Sequence, residues 1–446
     1  MDKSKKNSKR IATFSVVHPH AAGIDVADTS MVVAVPPESI IENVRTFGCF
    51  TCDLHDIAHW LKECEVETVA MESTGVYWVQ LFLLLQEYGF EVYLVNANHV
   101  KNVTGRKKDD IDAAWIQKLH SCGLLSNSFQ PNEQTRALRN LVRHRKVLIR
   151  DAARYLNRIQ KVLELMNIKI HTVISDIAGK SGQDILRAIL SGEREAERLA
   201  FFCDKRIKAS HEEIVKSLEG HWREEYIFEL NQSYQTYHFL HEKIRNCDSE
   251  IEKNLAAIVT HSRPEGILAI NQRTKRKTNY KNRPGFNVTA YLKAIVGTDV
   301  TEIVGISEIS ALEIFSETGF DLSKWKSDKY FTSWLGTAPN TKESNNKVIS
   351  SRILKKKHHA GQAFRMAASS LYGSQSPIGD FYRRIRARAG AGKATVATAR
   401  KIAVIFYHMV TEKTNFNPDM LLKSQQKYKD HKIKILEKQL AKLKAA

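Results

Sequence analysis

The apolar pattern changes period several times in the first hundred residues. Ile24, Val26, Val32, Val33 and Val35 have strand character on either side of a turn at Asp28–Ser30, which predicts a β-hairpin. In 53–64, Leu54, Ile57, Ala58 and Leu61 recur at helical spacing and predict an amphipathic helix. ETVAMESTG then reads as a strand with Glu72 at its end, WVQLFLLLQEYG as a buried helix, and EVYLVNANHV as a third strand. A further helix runs through Ala113, Ile116 and Leu119. Hairpin, helix, strand, helix, strand, helix is compatible with an α/β sheet whose strand ends converge on one edge.

Past residue 132 the period becomes helical and stays so. Leu138, Leu141, Leu148, Ala152, Tyr155, Ile159, Val162 and Met166 mark a long helix over 133–170. Shorter helical pieces follow, broken at Gly179, Gly182, Gly192 and Gly220. In a second long helix, 222–256, Leu230, Tyr237, Ile244 and Ile251 keep a heptad step with Ser233, Leu240 and Cys247 between them. Such a seam pairs the two helices within one chain or joins two chains. Residues 262–287 turn basic, Pro-bearing and aperiodic, as in a linker or nucleic-acid-contacting loop. Two helical runs around Gly305 resemble a helix-hairpin-helix, and a polar loop carrying Ser344 comes next. The tail closes on a basic helix with Ile433, Leu436, Leu440 and Leu443 on one stripe.

Composition narrows the partner. The chain has 446 residues, 43% hydrophobic, with a net charge of +19. That excess suits a polyanion, either nucleic acid or an anionic membrane surface. No apolar run approaches bilayer length, so nucleic acid is favoured. Six scattered cysteines point to a reducing compartment rather than a disulfide scaffold. Arg143, Arg150 and Arg154 stand in an acid-poor basic stretch of the first long helix, suited to tracking phosphates.

Four acids carry the candidate chemistry. In GRKKDDIDA, Asp109 and Asp112 share one face of a helix, with Arg106 and Lys107 just upstream. Asp25 interrupts the first strand, where aspartate is unusual, and Glu72 ends a later one. Paired carboxylates repel unless a cation lies between them, and Mg²⁺ takes such oxygen ligands. Separately, Cys49, Cys52, His55 and His59 have the residue types of a zinc site, but their spacing is too short for a usual finger and ordinary packing is favoured.

The four acids resemble the D-E-D-D set of RuvC-like nucleases. The words GIDVAD, MESTGVYW, VNANHVKN and KKDDIDA resemble the DEDD transposases of insertion-sequence family one-ten. FTSWLGTAPNTKESNNKVISSR and FRMAASSLYGSQSPIGDFYRRIRARAGAGK resemble that family's serine domain. Two departures stand out: Asn345–Asn346 replace the family's two glycines after the serine, and Gly336–Thr337 its Gly-Leu.

The resemblance implies an α/β RNase H-like (RuvC-like) N-terminal domain, a long helical coiled-coil middle, and a mostly α-helical C-terminal serine domain. It implies a DNA transposase or site-specific recombinase in which Asp25, Glu72, Asp109 and Asp112 bind Mg²⁺ or Mn²⁺ and Ser344 forms a phosphoserine link to DNA. It further implies donor and target DNA, an element-encoded structured guide RNA, a homo-oligomer (dimer or tetramer), and a cytoplasmic, nucleoid-associated setting in a bacterium. Lys347 and Arg352 are expected to contact nucleic acid beside the serine. A metal-dependent endonuclease without a serine intermediate, and a non-catalytic nucleic-acid-binding protein, are the alternatives. The expected divisions are a basic arm 1–20, nuclease domain 21–131, helical region 132–261, basic linker 262–294, serine domain 295–417 and terminal helix 418–446.

Overall fold

The computed structural model describes residues 15–96, 112–262, 282–345, 347–353 and 358–418, with scattered positions in the C-terminal tail. Arg106, Lys107 and Asp109 lie outside the described residues, as does most of the terminal helix. The chain divides into two compact units, Met1–Gln130 and Pro131–Ala446.

The first unit is built on a five-stranded sheet in the order β3-β2-β1-β4-β5. Its strands are β1 (Ala21–Val26), β2 (Met31–Ala34), β3 (Val44–Phe47), β4 (Thr68–Glu72) and β5 (Glu91–Val95). The first three form an antiparallel meander, and β4 and β5 join parallel to β1. Helices α1 (Thr51–Glu63) and α2 (Trp78–Glu87) pack on one face, over a core that includes Ile24, Val33, Ile57, Leu61, Met71, Leu81 and Leu85. Each fully buried side chain of this size contributes about 1.5–3 kcal/mol. Helix α3 (Asp112–Ser121) covers the other face through Ile116 and Leu119, which meet Ala70 and Val95. This mixed sheet with helices on both faces is compatible with an RNase H-like domain.

The end of the basic arm, 1–20, is joined to α3. Val17 and His18 both donate backbone N–H bonds to the Ser121 carbonyl, and the His18 ring stacks on His120 at 5.1 Å. An apolar residue beside a half-empty helix C-terminus explains the contact, because the last carbonyls of α3 need donors.

The second unit is mostly helical. α4 (Glu133–Leu165) is capped by Asn132, whose side chain accepts from the Thr135 N–H. The shorter α5 (Lys180–Leu190), α6 (Ala196–Ala200) and α7 (His211–Leu218) precede the long α8 (Glu224–Ser262). Gly182 lies inside α5 rather than breaking it, because a Cβ there would sit 2.3 Å from the Ile177 carbonyl oxygen. The heptad seam of α8 is inward: Leu230, Ser233, Tyr237, Ile244, Cys247 and Ile251 are buried. It lies antiparallel against α4 in the same chain, with Arg145 paired to Asp248 and Ile159 in one core with Tyr237. The Arg145–Asp248 pair also binds the chain beyond, through the Asn282 carbonyl and the Gly285 N–H.

Helix α9 (Val288–Val296) begins inside the stretch read as linker, because Asn287 caps it and Val288, Leu292 and Val296 are buried. α10 (Glu308–Thr318), α11 (Asp328–Trp334), the hairpin β6 (Lys342–Ser344) and β7 (Lys347–Ser350), α12 (His359–Ser369), α13 (Pro377–Ala389) and α14 (Ala391–Glu412) complete the unit. Gly305, at φ 98°, faces the chain itself: a Cβ there would lie 2.9 Å from the Ala367 carbonyl oxygen of α12.

Candidate active site

Strand pairing brings Asp25 and Glu72 together. Ile24 is in register with Met71 across the parallel β1–β4 pair, so the next residues of the two strands are Asp25 and Glu72. They stand side by side on strands about 4.8 Å apart, with side chains on one face. That face is the one α3 covers, because side chains alternate along a strand and Gly23, two residues before Asp25, lies directly under the helix. A Cβ at Gly23 would fall 2.2 Å from the Gln117 amide nitrogen and 2.4 Å from the Ala113 carbonyl oxygen.

The helix runs opposite to β1. Its C-terminal Ser121 meets Val17 and His18, and Gln117 donates from its side chain to the Ala21 carbonyl at 3.1 Å. Two residues along a strand cover about 6.6 Å and four along a helix about 6 Å. Asp25 therefore stands level with Asp112, the first described residue of α3. Glu72 has the same relation to Ala70, which packs on Ile116, one helical turn after Asp112. Thr74 donates its hydroxyl to Glu72 Oε1 at 3.0 Å, fixing one oxygen of that carboxylate.

The three described acids thus share a sheet edge and a face. No group of three or more His, Cys, Asp or Glu among the described residues is close enough to hold one ion. The chemistry of the set still suits a hard cation, since Mg²⁺ commonly takes only one or two protein carboxylates. Asp109, the fourth acid of the sequence reading, lies outside the described residues. The Cys49, Cys52, His55 and His59 set serves packing instead. His55 Nδ1 and His59 Nε2 both engage the Tyr88 hydroxyl, at 2.9 and 3.2 Å, and Cys49 packs against the core.

Ser344 lies in the second unit, in a β-hairpin where a polar loop was expected. It ends β6 and pairs directly with Lys347 of β7. Two residues separate them, and Asn345 adopts a left-handed φ of 48°. Only the primed hairpin turns place their first central residue at positive φ, and asparagine is among the residues that accept it. The asparagine in place of the family's glycine thus keeps the turn. The hairpin base is well held. Arg365 of α12 donates to the Gly336 carbonyl at 2.8 Å, Gly361 lies against the Leu335 carbonyl, and the Trp334 and His358 rings meet edge to face at 3.8 Å. Thr337, the other departure, is buried with its hydroxyl donating to the Thr332 carbonyl at 3.0 Å. The outer strands of the hairpin are exposed on both faces.

The basic stretch of α4 divides in two. Arg143 makes a two-point pair with Glu317 at 2.7 and 2.8 Å, and Arg139 donates to the Ser316 and Glu317 carbonyls. Burial would raise the Glu317 carboxyl, but the Arg143 hydrogen bond and the charges of Arg139, Arg143 and His359 outweigh it and hold its pKa below the usual range. Burial brings the Arg139 guanidinium down to about 10. Arg143 is thereby tied to the end of α10. Arg150 is exposed, and Arg154 is largely exposed while bridging Asp151. These two retain the exposure that phosphate contact requires.

Residues 22–168 match a DEDD-type family model described as a transposase, and residues 298–383 match one described as the transposase IS116/IS110/IS902 family. The chain belongs to the IS110 transposase family. A search of the curated proteins finds no match. As a transposase the chain is an enzyme of DNA recombination, acting on DNA during movement of an insertion sequence. The first matched segment contains Asp25, Glu72, Asp109 and Asp112, and the second contains Ser344 and Lys347. No helix among the described residues is long and apolar enough to cross a membrane. Sequence reasoning missed two features of the transposase: the close approach of α3 at Gly23, and the Ser344–Lys347 pairing. The second had a signal, since Ser-Asn-Asn-Lys has the spacing of a two-residue hairpin loop.

Proposed function

We propose that this transposase cuts and rejoins DNA by two sets of groups: Asp25, Glu72, Asp109 and Asp112, which would hold Mg²⁺ or Mn²⁺, and Ser344, which attacks a DNA phosphorus to leave a phosphoserine link. The observation that carries the reading is the adjacency of Asp25 and Glu72 on strands β1 and β4, on the face and at the level of Asp112 in α3. Bound there, the metal would supply charge to activate an attacking oxygen and stabilise a leaving one. Thr74 orients the Glu72 carboxylate through its hydroxyl. Ser344 is exposed at the end of β6, where a phosphate backbone has room to reach its hydroxyl. A covalent serine link divides one hard step into two and conserves the bond for rejoining. The net charge of +19 fits the donor and target DNA, and equally an element-encoded guide RNA. Arg150, Arg154, Lys347 and Arg352 are the backbone contacts of this reading, and the transposase works as a homo-oligomer.

The test is a denaturing gel of the purified transposase with plasmid DNA carrying the element's ends and the RNA transcribed from its flanks. The wild type forms a covalent protein–DNA band that needs divalent metal. Ser344→Ala loses that band and still binds DNA, whereas Asp25→Asn and Glu72→Gln lose cleavage. A band that persists in Ser344→Ala removes the serine role. Metal-dependent cleavage by the wild type with no covalent band selects water as the nucleophile instead.

A further inference from the structure

The Ser344–Lys347 pair has a consequence for the chemistry of the hairpin. Directly opposed residues of an antiparallel pair project from the same face, with Cβ atoms about 4.5–5.5 Å apart. The register sets Ser344 against Lys347 and Glu343 against Val348, so the serine and the lysine share one face and the acid lies on the other. The left-handed Asn345 lies in the two-residue turn whose length sets this pairing, and the ladder's irregularity comes further out, between Lys342 and Glu343. Both residues are exposed. A lysine side chain reaches about 6 Å from its Cα, far enough to meet any group bonded to the neighbouring serine oxygen. Lysine offers three donors and no acceptor as an ammonium, the right character for a group that gathers negative charge.

Resting on the reading of Ser344 as the nucleophile, we propose that Lys347 is a catalytic residue whose ammonium binds a non-bridging oxygen of the phosphate under attack. In the step, the Ser344 hydroxyl loses its proton to water and its oxygen bonds to phosphorus. The bond from phosphorus to one sugar oxygen breaks, and that oxygen takes a proton from water to leave as a hydroxyl. One phosphodiester is exchanged for another, with no change of oxidation state. Negative charge grows on the non-bridging oxygens at the transition state, and Lys347 is placed to meet it there more strongly than in the bound substrate. A Ser-x-x-Lys spacing on a hairpin thus pairs the nucleophile with a cation through strand register.

The test measures the single-turnover rate of the covalent band at saturating plasmid DNA, and DNA affinity separately, for Lys347→Met, Lys347→Arg and Ser344→Ala. Lys347→Met should slow the band by about 10²–10³-fold, the size seen on loss of one such donor. Its affinity should change by less than about threefold, since one exposed contact among many is lost. Lys347→Arg, which keeps the cation, should retain the rate to within about tenfold. The pair lies on an exposed hairpin, so the variants should keep the wild-type thermal midpoint. A rate for Lys347→Met within threefold of wild type, or a loss confined to affinity, overturns the proposal. So does Lys347→Arg being as slow as Lys347→Met, which would mean that the amine rather than its charge is needed. Ser344→Ala separates the two claims: a surviving band there refutes the serine itself, whereas its loss beside a fast Lys347→Met refutes only the lysine.

Discussion

Gly23→Ala tests how the acidic edge is assembled. The new methyl would point from β1 into α3, 2.2 Å from the Gln117 nitrogen and 2.4 Å from the Ala113 oxygen. Both are backbone atoms of a helix, so no rotamer change relieves the clash. Ordinary contact needs about 3.5 Å, so α3 must retreat by roughly 1 Å. Overpacking of this kind costs about 1–3 kcal/mol. For a domain of this size that lowers the thermal midpoint by about 3–10 °C. The larger effect is on chemistry, because α3 carries Asp112 while Asp25 and Glu72 stay with the sheet. A 1 Å misplacement of a reacting constellation is worth about 10²-fold in rate. The assay is metal-dependent DNA cleavage below the variant's thermal midpoint, with differential scanning calorimetry alongside. Wild-type cleavage combined with an unchanged midpoint would show that α3 does not bear on β1 as described.

Two further outcomes follow from buried charges. Glu317→Gln leaves Arg139 and Arg143 facing a neutral amide, and breaking a buried pair of this kind costs about 3 kcal/mol or more. Because the native pKa of Glu317 is depressed, its contribution is complete above the usual glutamate value near 4.3 and fades as pH falls below that value and through the native one. Thermal midpoints of wild type and Glu317→Gln should therefore converge toward pH 3, and a gap that stayed constant would refute the pairing. His120 is buried with Nε2 2.9 Å from the Thr68 hydroxyl, and burial followed by the His18 charge lowers its pKa to about 4. Between that value and about 6.5 the unfolded chain binds the extra proton, so stability falls as pH drops through this window, by roughly 2–4 kcal/mol in all. His120→Gln should flatten that slope in urea titrations at pH 4.5 and 7, and an equal slope in both proteins would place the titration elsewhere.

Periodicity revealed the elements where burial is one-sided. Leu230, Tyr237, Ile244 and Ile251 of α8 and the Leu54, Ile57, Ala58, Leu61 stripe of α1 are buried as their spacing required, with Leu240 half-buried. The acids were legible as residue types out of place, an aspartate within a strand and a glutamate at the end of one. Arg143 was not legible, because its partner Glu317 is 174 residues away, and a cation reads the same whether it awaits a phosphate or already holds a carboxylate.

The sequence by itself determined most of the strands and helices of the first unit and the two long helices of the second, which family's words they spell, and which acids and serine are candidates. Those properties depend on local backbone preference and on side-chain chemistry, both carried by near neighbours. Only the tertiary structure decided that β4 lies beside β1, that α3 crosses at Gly23, and that Arg143 is taken by Glu317. Strand order, register and helix crossing arise from which surfaces exclude water together, and that choice is made by residues far apart along the chain.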